Sequence, residues 1–535
     1  MSIDGFLQFL GLVVAVYALF SVVVRYRFRL HGWLLWFPTA GTLMSVVYLL
    51  LFDLVGLSCG NSWCTALQLS EREGLTPSKL AFLVVLAWLL FVLALLQRKL
   101  ISGRQLPLLA GLIDRLVAEK RYPELVEFIG PQIDLISRCA SRRLPLQRLR
   151  DRVRWQGSPF FPPQPPVTTA PTKWQVIKAK LQQWCYIWLK PVLAQLPESG
   201  RKEEAAQRIL RVLHTNEQLV EFIALERPLF ALQLMDTGTR DHDFSDRAFD
   251  LMMAHPESQL RRETLLNDNL DRCFFVIDPK NPLINALFAD ANLAEKLEVW
   301  RPVGNFPIRL LERNIDNYRQ TISASKPWED QILHRDPTYA MIRFFDVMVR
   351  SAMRDGLSSH MWLLYFDILV DKLVRFMDRT HPDYDLDREF PNFGYYLIYE
   401  VFHIYGEWLR AIECCPEKSP AIQIENTSPN ATGPGVVKWT MVSMARSLRH
   451  LINSPTEDEF VSYVIEIIMR DYKNLAGVPN GAHFQEALRN HLIAADQDCQ
   501  NANYGARFRR CYDQIDHCMK YDTRDFEAAL IAAYP

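Results

Sequence analysis

Three uncharged apolar runs fill most of the first hundred residues of this 535-residue chain, and nothing else in it constrains folding as strongly. Gly5–Val24 covers twenty residues, Leu30–Phe52 twenty-three and Leu80–Leu96 seventeen, each without Asp, Glu, Lys or Arg. At ~1.5 Å of rise per residue, about twenty helical residues match the ~30 Å hydrocarbon thickness of a bilayer, and seventeen is at the short end. Lipid offers nothing to satisfy a backbone N–H or C=O, so such runs should be helical. The expectation is a transmembrane module over 1–100, with spans at about 5–24, 31–53 and 79–97.

Charge sets the expected orientation. The loop after the first run carries Arg25, Arg27 and Arg29, and the third run leads into Arg98, Lys99 and Arg104. Lys/Arg excess marks the cytoplasmic side, which places the N-terminus outside and everything after residue 97 in the cytoplasm, as in an inner-membrane protein of a bacterial-type cell. The first run lacks the basic start and small-residue cleavage site of a signal peptide and is too long for one. Asp53 sits at the outer end of the second run, where a carboxylate costs little. Pro38, Gly41, Thr42 and Ser45 lie inside that run as candidates for a kink or close helix packing.

The net charge of −1 conceals an uneven distribution. Residues 1–97 carry five Lys/Arg against four Asp/Glu, 98–197 seventeen against six, and 198–535 thirty-eight against fifty-one. A basic block beside the last span suits anionic lipid headgroups, while an acidic remainder makes nucleic acid an unlikely partner. Residues 101–157 read as basic juxtamembrane helices. Their end carries Arg138, Arg142, Arg143, Arg148, Arg150, Arg152 and Arg154, opposed only by Asp151. Lipid contact is the expected role of this cluster, with docking on the acidic remainder as the alternative.

Residues 158–172 form a Pro-rich linker, since Pro159, Pro162, Pro163, Pro165, Pro166 and Pro171 remove backbone donors. Residues 173–197 follow as an amphipathic helix. Trp174, Trp184 and Trp188 share one stripe that Lys178 and Lys180 flank, a pattern suited to lying in a membrane interface. The alternative is a helix that buries its Trp stripe on the soluble domain.

From 198 to 535 helical periodicity recurs without strand alternation, with helices expected over 216–235, 458–475 and 504–520 among others, and the Pro/Asn/Gly-rich stretch 416–435 is the long loop. Asp336-Pro337 signals a helix start, Thr456-x-x-Glu459 fits a capping box, and Gly356 and Gly477 are stops. No repeat of 33–47 residues is evident. The fold class is therefore all-α: three N-terminal transmembrane helices followed by a large cytoplasmic irregular helical bundle or α-solenoid-like domain.

Chemistry is sparsely signalled. No phosphate-binding glycine loop or zincin motif is present. Asp241, His242, Asp243, Asp246 and Asp250 gather carboxylates as a metal-dependent hydrolase would, but Asp is also the usual residue between helices. Cys499, Cys511, His517 and Cys518 are zinc-competent without a C-x-x-C knuckle. His403 and Glu407 stand one turn apart in an aromatic helix, where a buried His–Glu pair in a packed core is the expectation. Cys59 and Cys64, in the predicted outer loop, form a candidate disulfide; the other eight cysteines are expected to be free helix residues in a reducing cytosol.

These readings converge on a non-enzymatic, membrane-tethered scaffold or sensor that presents a cytoplasmic helical domain to a protein partner, with no metal or cofactor. The rival is an oligomeric membrane effector or pore gated by that domain, for which a homo-oligomer is required. A metal-dependent hydrolase is the faintest option.

Overall fold

Capping side chains mark where several of the helices begin. The Asp336 carboxylate accepts from the backbone N–H groups of Thr338 and Tyr339, and Pro337 supplies a preset φ at the first turn, opening the helix Pro337–Asp355. Gly356 closes that helix in the left-handed region at φ 71°, where a side chain would be strained. Asn392 caps Phe393–Arg410 through Tyr395 N–H, and Ser258 caps Gln259–Leu265 through Arg261 N–H. At Thr456 the expected capping box does not form. The helix Asp458–Leu475 starts behind Glu457, whose carboxylate accepts from the Tyr384 and Tyr395 hydroxyls, while Thr456 bonds Ser454.

The computed structural model describes residues 26, 32–55, 77–97, 103–141, 201–237, 242–267, 269–324, 333–358, 361–424, 435–493 and 503–534. The chain is predominantly helical. It divides into two compact units, Met1–Leu219 with Thr237–Arg240, and Val220–Asp236 with Asp241–Pro535.

In the smaller unit, the helices Gly32–Val55 and Pro77–Gln97 pack on each other. Trp88 Nε1 donates to Thr39 Oγ1 at 3.1 Å, and Val46, Ala81, Val85 and Val92 are buried. This corrects the membrane topology. Among the described residues no helix is long and apolar enough to cross a membrane, so the three-span, inner-membrane localisation and its sidedness are withdrawn. Lack of charge is the shared signature of a bilayer span and of helices that bury apolar sides on one another, and composition does not separate them. The first run, 5–24, lies outside the described residues. Gly41 is no packing notch either: a Cβ there would meet nothing within 4 Å.

The same unit holds a small bundle in which Leu106–Ala118 and Ile133–Ser141 pack on Arg201–Thr215. Leu109, Ile113, Leu116, Ile136, Ile209 and Leu213 fill its core.

The larger unit is arranged as two rows of helices. In one row, His242–Ala254 packs on Trp300–Arg313, that on Leu364–Phe376, that on Val436–Asn453, and that on Gly481–Ile493. In the other, Gln259–Leu265 packs on Pro337–Asp355, that on Phe393–Arg410, that on Asp458–Leu475, and that on Tyr504–Asp513. The first four helices of the first row also contact their sequence neighbours in the second. Phe345, Phe366, Tyr405 and Trp408 interlock between the rows, with Phe366 stacked on Trp408 at 5.1 Å.

Several boundaries differ from the sequence reading. Pro228 splits the stretch expected as one helix over 216–235 into Glu217–Glu226 and Pro228–Asp236. The stretch 504–520 breaks into Tyr504–Asp513 and His517–Asp522, the second capped by Asp516. A short antiparallel pair, Leu270–Asp271 with Phe274–Phe275, interrupts the helices.

Candidate functional site

Helical spacing gives the Phe393–Arg410 helix two aromatic sides. Tyr395, Phe402, Tyr405 and Trp408 point inward and are fully buried. Tyr396, Tyr399 and His403 lie at i, i+3 and i+7 on the other side, where the tyrosines stay half-buried and His403 is exposed. The neighbouring Asp458–Leu475 helix adds Tyr463, Glu466 and Arg470 at the same spacing, and Pro337–Asp355 adds Tyr339. One surface of three successive row helices is therefore faced with rings.

The rings are in contact. Tyr399 stacks on Tyr463 at 6.1 Å with planes 20° apart, and on His403 at 5.8 Å. Phe390, from the loop before the helix, lies 5.0 Å from Tyr399, 5.6 Å from Tyr396 and 6.4 Å from Tyr463, filling the floor between them. Tyr339 reaches Tyr396 at 6.4 Å. The loop is held by Asp378 N–H on Ser323 Oγ at 2.8 Å, Phe393 N–H on Ala324 O at 3.1 Å, and Tyr384 hydroxyl on Glu457 at 2.6 Å.

Carboxylates border this surface. Glu400 accepts from the Tyr396 hydroxyl, and Glu389 acts electrostatically on both Tyr399 and Tyr463. Burial, reinforced by these negative neighbours, raises all three tyrosine hydroxyls above their ordinary value, so the rings remain neutral donors. Glu466 is tied to Arg470 at 3.8 Å, whereas neither Glu389 nor Glu400 is paired with a cation among the described residues.

A chain of charged side chains crosses the same three helices, buried at Asp346, Arg350 and Asp471. Arg350 Nε donates to Asp346 at 2.8 Å and its Nη2 to Glu407 at 3.1 Å, with both Arg350 and Asp346 buried. Trp408 Nε1 donates to the same Asp346 at 2.9 Å. Glu407 also pairs with Arg410, which approaches Asp471 at 3.9 Å. Burial pushes the Asp471 carboxyl up to about 7, with Arg410 pulling it down and Glu407 adding to the rise.

The residues singled out in the sequence fare differently. His403 and Glu407 do not pair: His403 lies exposed on Tyr399, and Glu407 belongs to the arginines. Asp246 and Asp250 are taken by Arg301 and Arg309, while Asp241 lies outside the described residues. Cys511 is buried and its thiol pushed up to about 11 by that burial, Cys518 is exposed, and Cys499 lies outside the described residues. No group of three or more His, Cys, Asp and Glu able to hold a metal ion occurs among the described residues.

The cysteine expectation needs correction. Cys273 and Cys414 form a disulfide with Cα atoms 6.2 Å apart, joining the turn of the short strand pair to the end of the aromatic helix's 3-10 extension. Their separation of 141 residues hides this pairing from any local pattern. Cys59 and Cys64 lie outside the described residues, as do Arg142, Arg143, Arg148, Arg150, Arg152, Arg154, Trp174, Lys178, Lys180, Trp184 and Trp188. Arg138 is described: it is exposed and its Nε donates to Asp134 O at 3.1 Å.

The outward tyrosines are the residues that sequence reasoning missed. The signal was the combination of 396, 399 and 403 at helical spacing with Glu400 among them, inside a helix noted only for its overall aromatic content. No protein family, curated protein or solved structure matches the chain.

Proposed function

We propose that this protein is a non-enzymatic scaffold or sensor whose larger unit, an α-solenoid-like stack of paired helices, receives a protein partner. Stacked helix pairs generate extended outer surfaces, and such surfaces are what solenoids use for binding. The observation that carries the reading is the contiguous set of half-buried rings spread over three successive helices of one row. Tyrosine is enriched where proteins meet, because it offers a large, stiff contact area with a polar tip. The carboxylates that resembled a hydrolase centre are occupied by Arg301 and Arg309, which fits a structural use for them. The membrane tether expected from the sequence forms no part of this proposal.

The test is photo-crosslinking in the native cell from single benzoylphenylalanine replacements at exposed positions distributed over the larger unit. The proposal expects discrete protein adducts confined to one face. An absence of adducts from every position would overturn it.

A further inference from the structure

We infer that the surface where Tyr399 and Tyr463 meet above the buried Phe390 takes a cationic peptide segment, whose Arg or Lys side chains lie against these two rings between Glu389 and Glu400. The inference rests on the partner-receiving role proposed above and specifies the chemistry of the partner.

Three observations lead to it. Tyr399 and Tyr463 are half-buried with ring centroids 6.1 Å apart, so the parts of the two rings left exposed lie side by side, and an aromatic ring carries negative potential over its face. Glu400 accepts from the Tyr396 hydroxyl, Glu389 acts electrostatically on Tyr399 and Tyr463, and neither carboxylate has a cation partner among the described residues. Arg470, which acts electrostatically on both tyrosines, is tied to Glu466 at 3.8 Å. An arginine guanidinium meets all three conditions at once, because it stacks on aromatic faces and forks onto carboxylates. A neutral apolar segment would bury the carboxylate edges without replacing their water, at a cost in free energy. A nucleic acid backbone would be repelled by the same two groups.

The test uses the full chain and two fluorescein-labelled probes, hexa-arginine and hexa-citrulline, read by fluorescence anisotropy. Citrulline keeps length and hydrogen bonding while removing charge. Hexa-arginine should bind, and hexa-citrulline should bind at least about tenfold more weakly, since it carries no cation to lie against the rings and carboxylates. Tyr399→Leu with Tyr463→Leu preserves the charge of the chain and should weaken hexa-arginine about tenfold, whereas Tyr399→Phe with Tyr463→Phe keeps the π-faces and should bind as the native chain does. Glu389→Gln with Glu400→Gln should weaken it to a similar degree. Equal binding of the two probes overturns the inference. So does hexa-arginine binding indifferent to the Leu pair, which would mark a general attraction of the acidic 198–535 portion for a polycation. Adducts confined to another face, with no hexa-arginine binding here, would defeat this inference and leave the scaffold reading standing. Native-like hexa-arginine behaviour with no adduct from any position in cells would do the reverse.

Discussion

Asp471 is the side chain with the most conditional place in the fold. Its carboxylate is buried beside Gly406, where an added Cβ would run into it, so the glycine is there to leave room for a charge. Gly406→Ala should therefore destabilise the larger unit by roughly 1–3 kcal/mol, as overpacking does, and Asp471→Ala in the same chain should recover part of the loss. Denaturant unfolding of the single and double variants measures that coupling. The acid–base sign is also determined. A carboxyl held up at about 7 in the folded state binds more proton than the unfolded chain does between its ordinary value of 3.8 and that point. Its burial thus costs nothing below about pH 4, costs progressively more as pH rises to about 7, and is constant above. Asp471→Asn should match the native chain in stability near pH 4 and exceed it increasingly up to pH 7, by at most about 1.4 kcal/mol per pH unit. A stability difference that does not vary across this window would contradict the assignment.

At the scale of the helix, the charges that cross the row act as register pins. Arg350 holds Asp346 in its own helix and Glu407 in the next, and also donates to Cys273 O at 2.8 Å. Removing one partner strands the other in the interior, so Arg350→Met should lower the unfolding free energy by about 3–5 kcal/mol. Chemical denaturation reads this directly. The Cys273–Cys414 bridge fastens the same region by closing a long loop. Replacing both cysteines by serine should lower the unfolding midpoint by an amount corresponding to about 2–5 kcal/mol, and reductant should reproduce the loss in the native chain but not in the variant. Much of this scale was legible in sequence. Asp336-Pro337, Gly356 and the 458–475 periodicity report local backbone chemistry, which travels with neighbouring residues. Thr456 misled because Glu457 had a stronger use, accepting from two tyrosine hydroxyls contributed by distant segments. The disulfide and the Arg350 network depend on residues many positions apart, where spacing carries no information.

For the whole molecule, the absence of a sequence repeat and the presence of two helical rows are reconciled by irregular connections. First-row helices begin at 242, 300, 364, 436 and 481, so the pairs recur without a period. Packing in each row needs only an apolar stripe of the right helical spacing, which many sequences satisfy. The N-terminal runs teach the converse: strong apolar composition was legible, but its environment was not. Phe37, Met44, Tyr48, Phe82 and Leu90 remain exposed on the helix pair, while Val46, Ala81 and Val85 are buried. The ring-faced surface belongs to this scale as well, because no single helix holds it. The role proposed for it, receiving a basic protein segment, is tested most directly by reciprocal charge reversal on the crosslinked pair. Glu389→Lys with Glu400→Lys should abolish capture of the partner from the native cell, and reversing the partner's crosslinked arginines or lysines to glutamate should restore it. Capture that survives the first reversal undiminished would contradict the account.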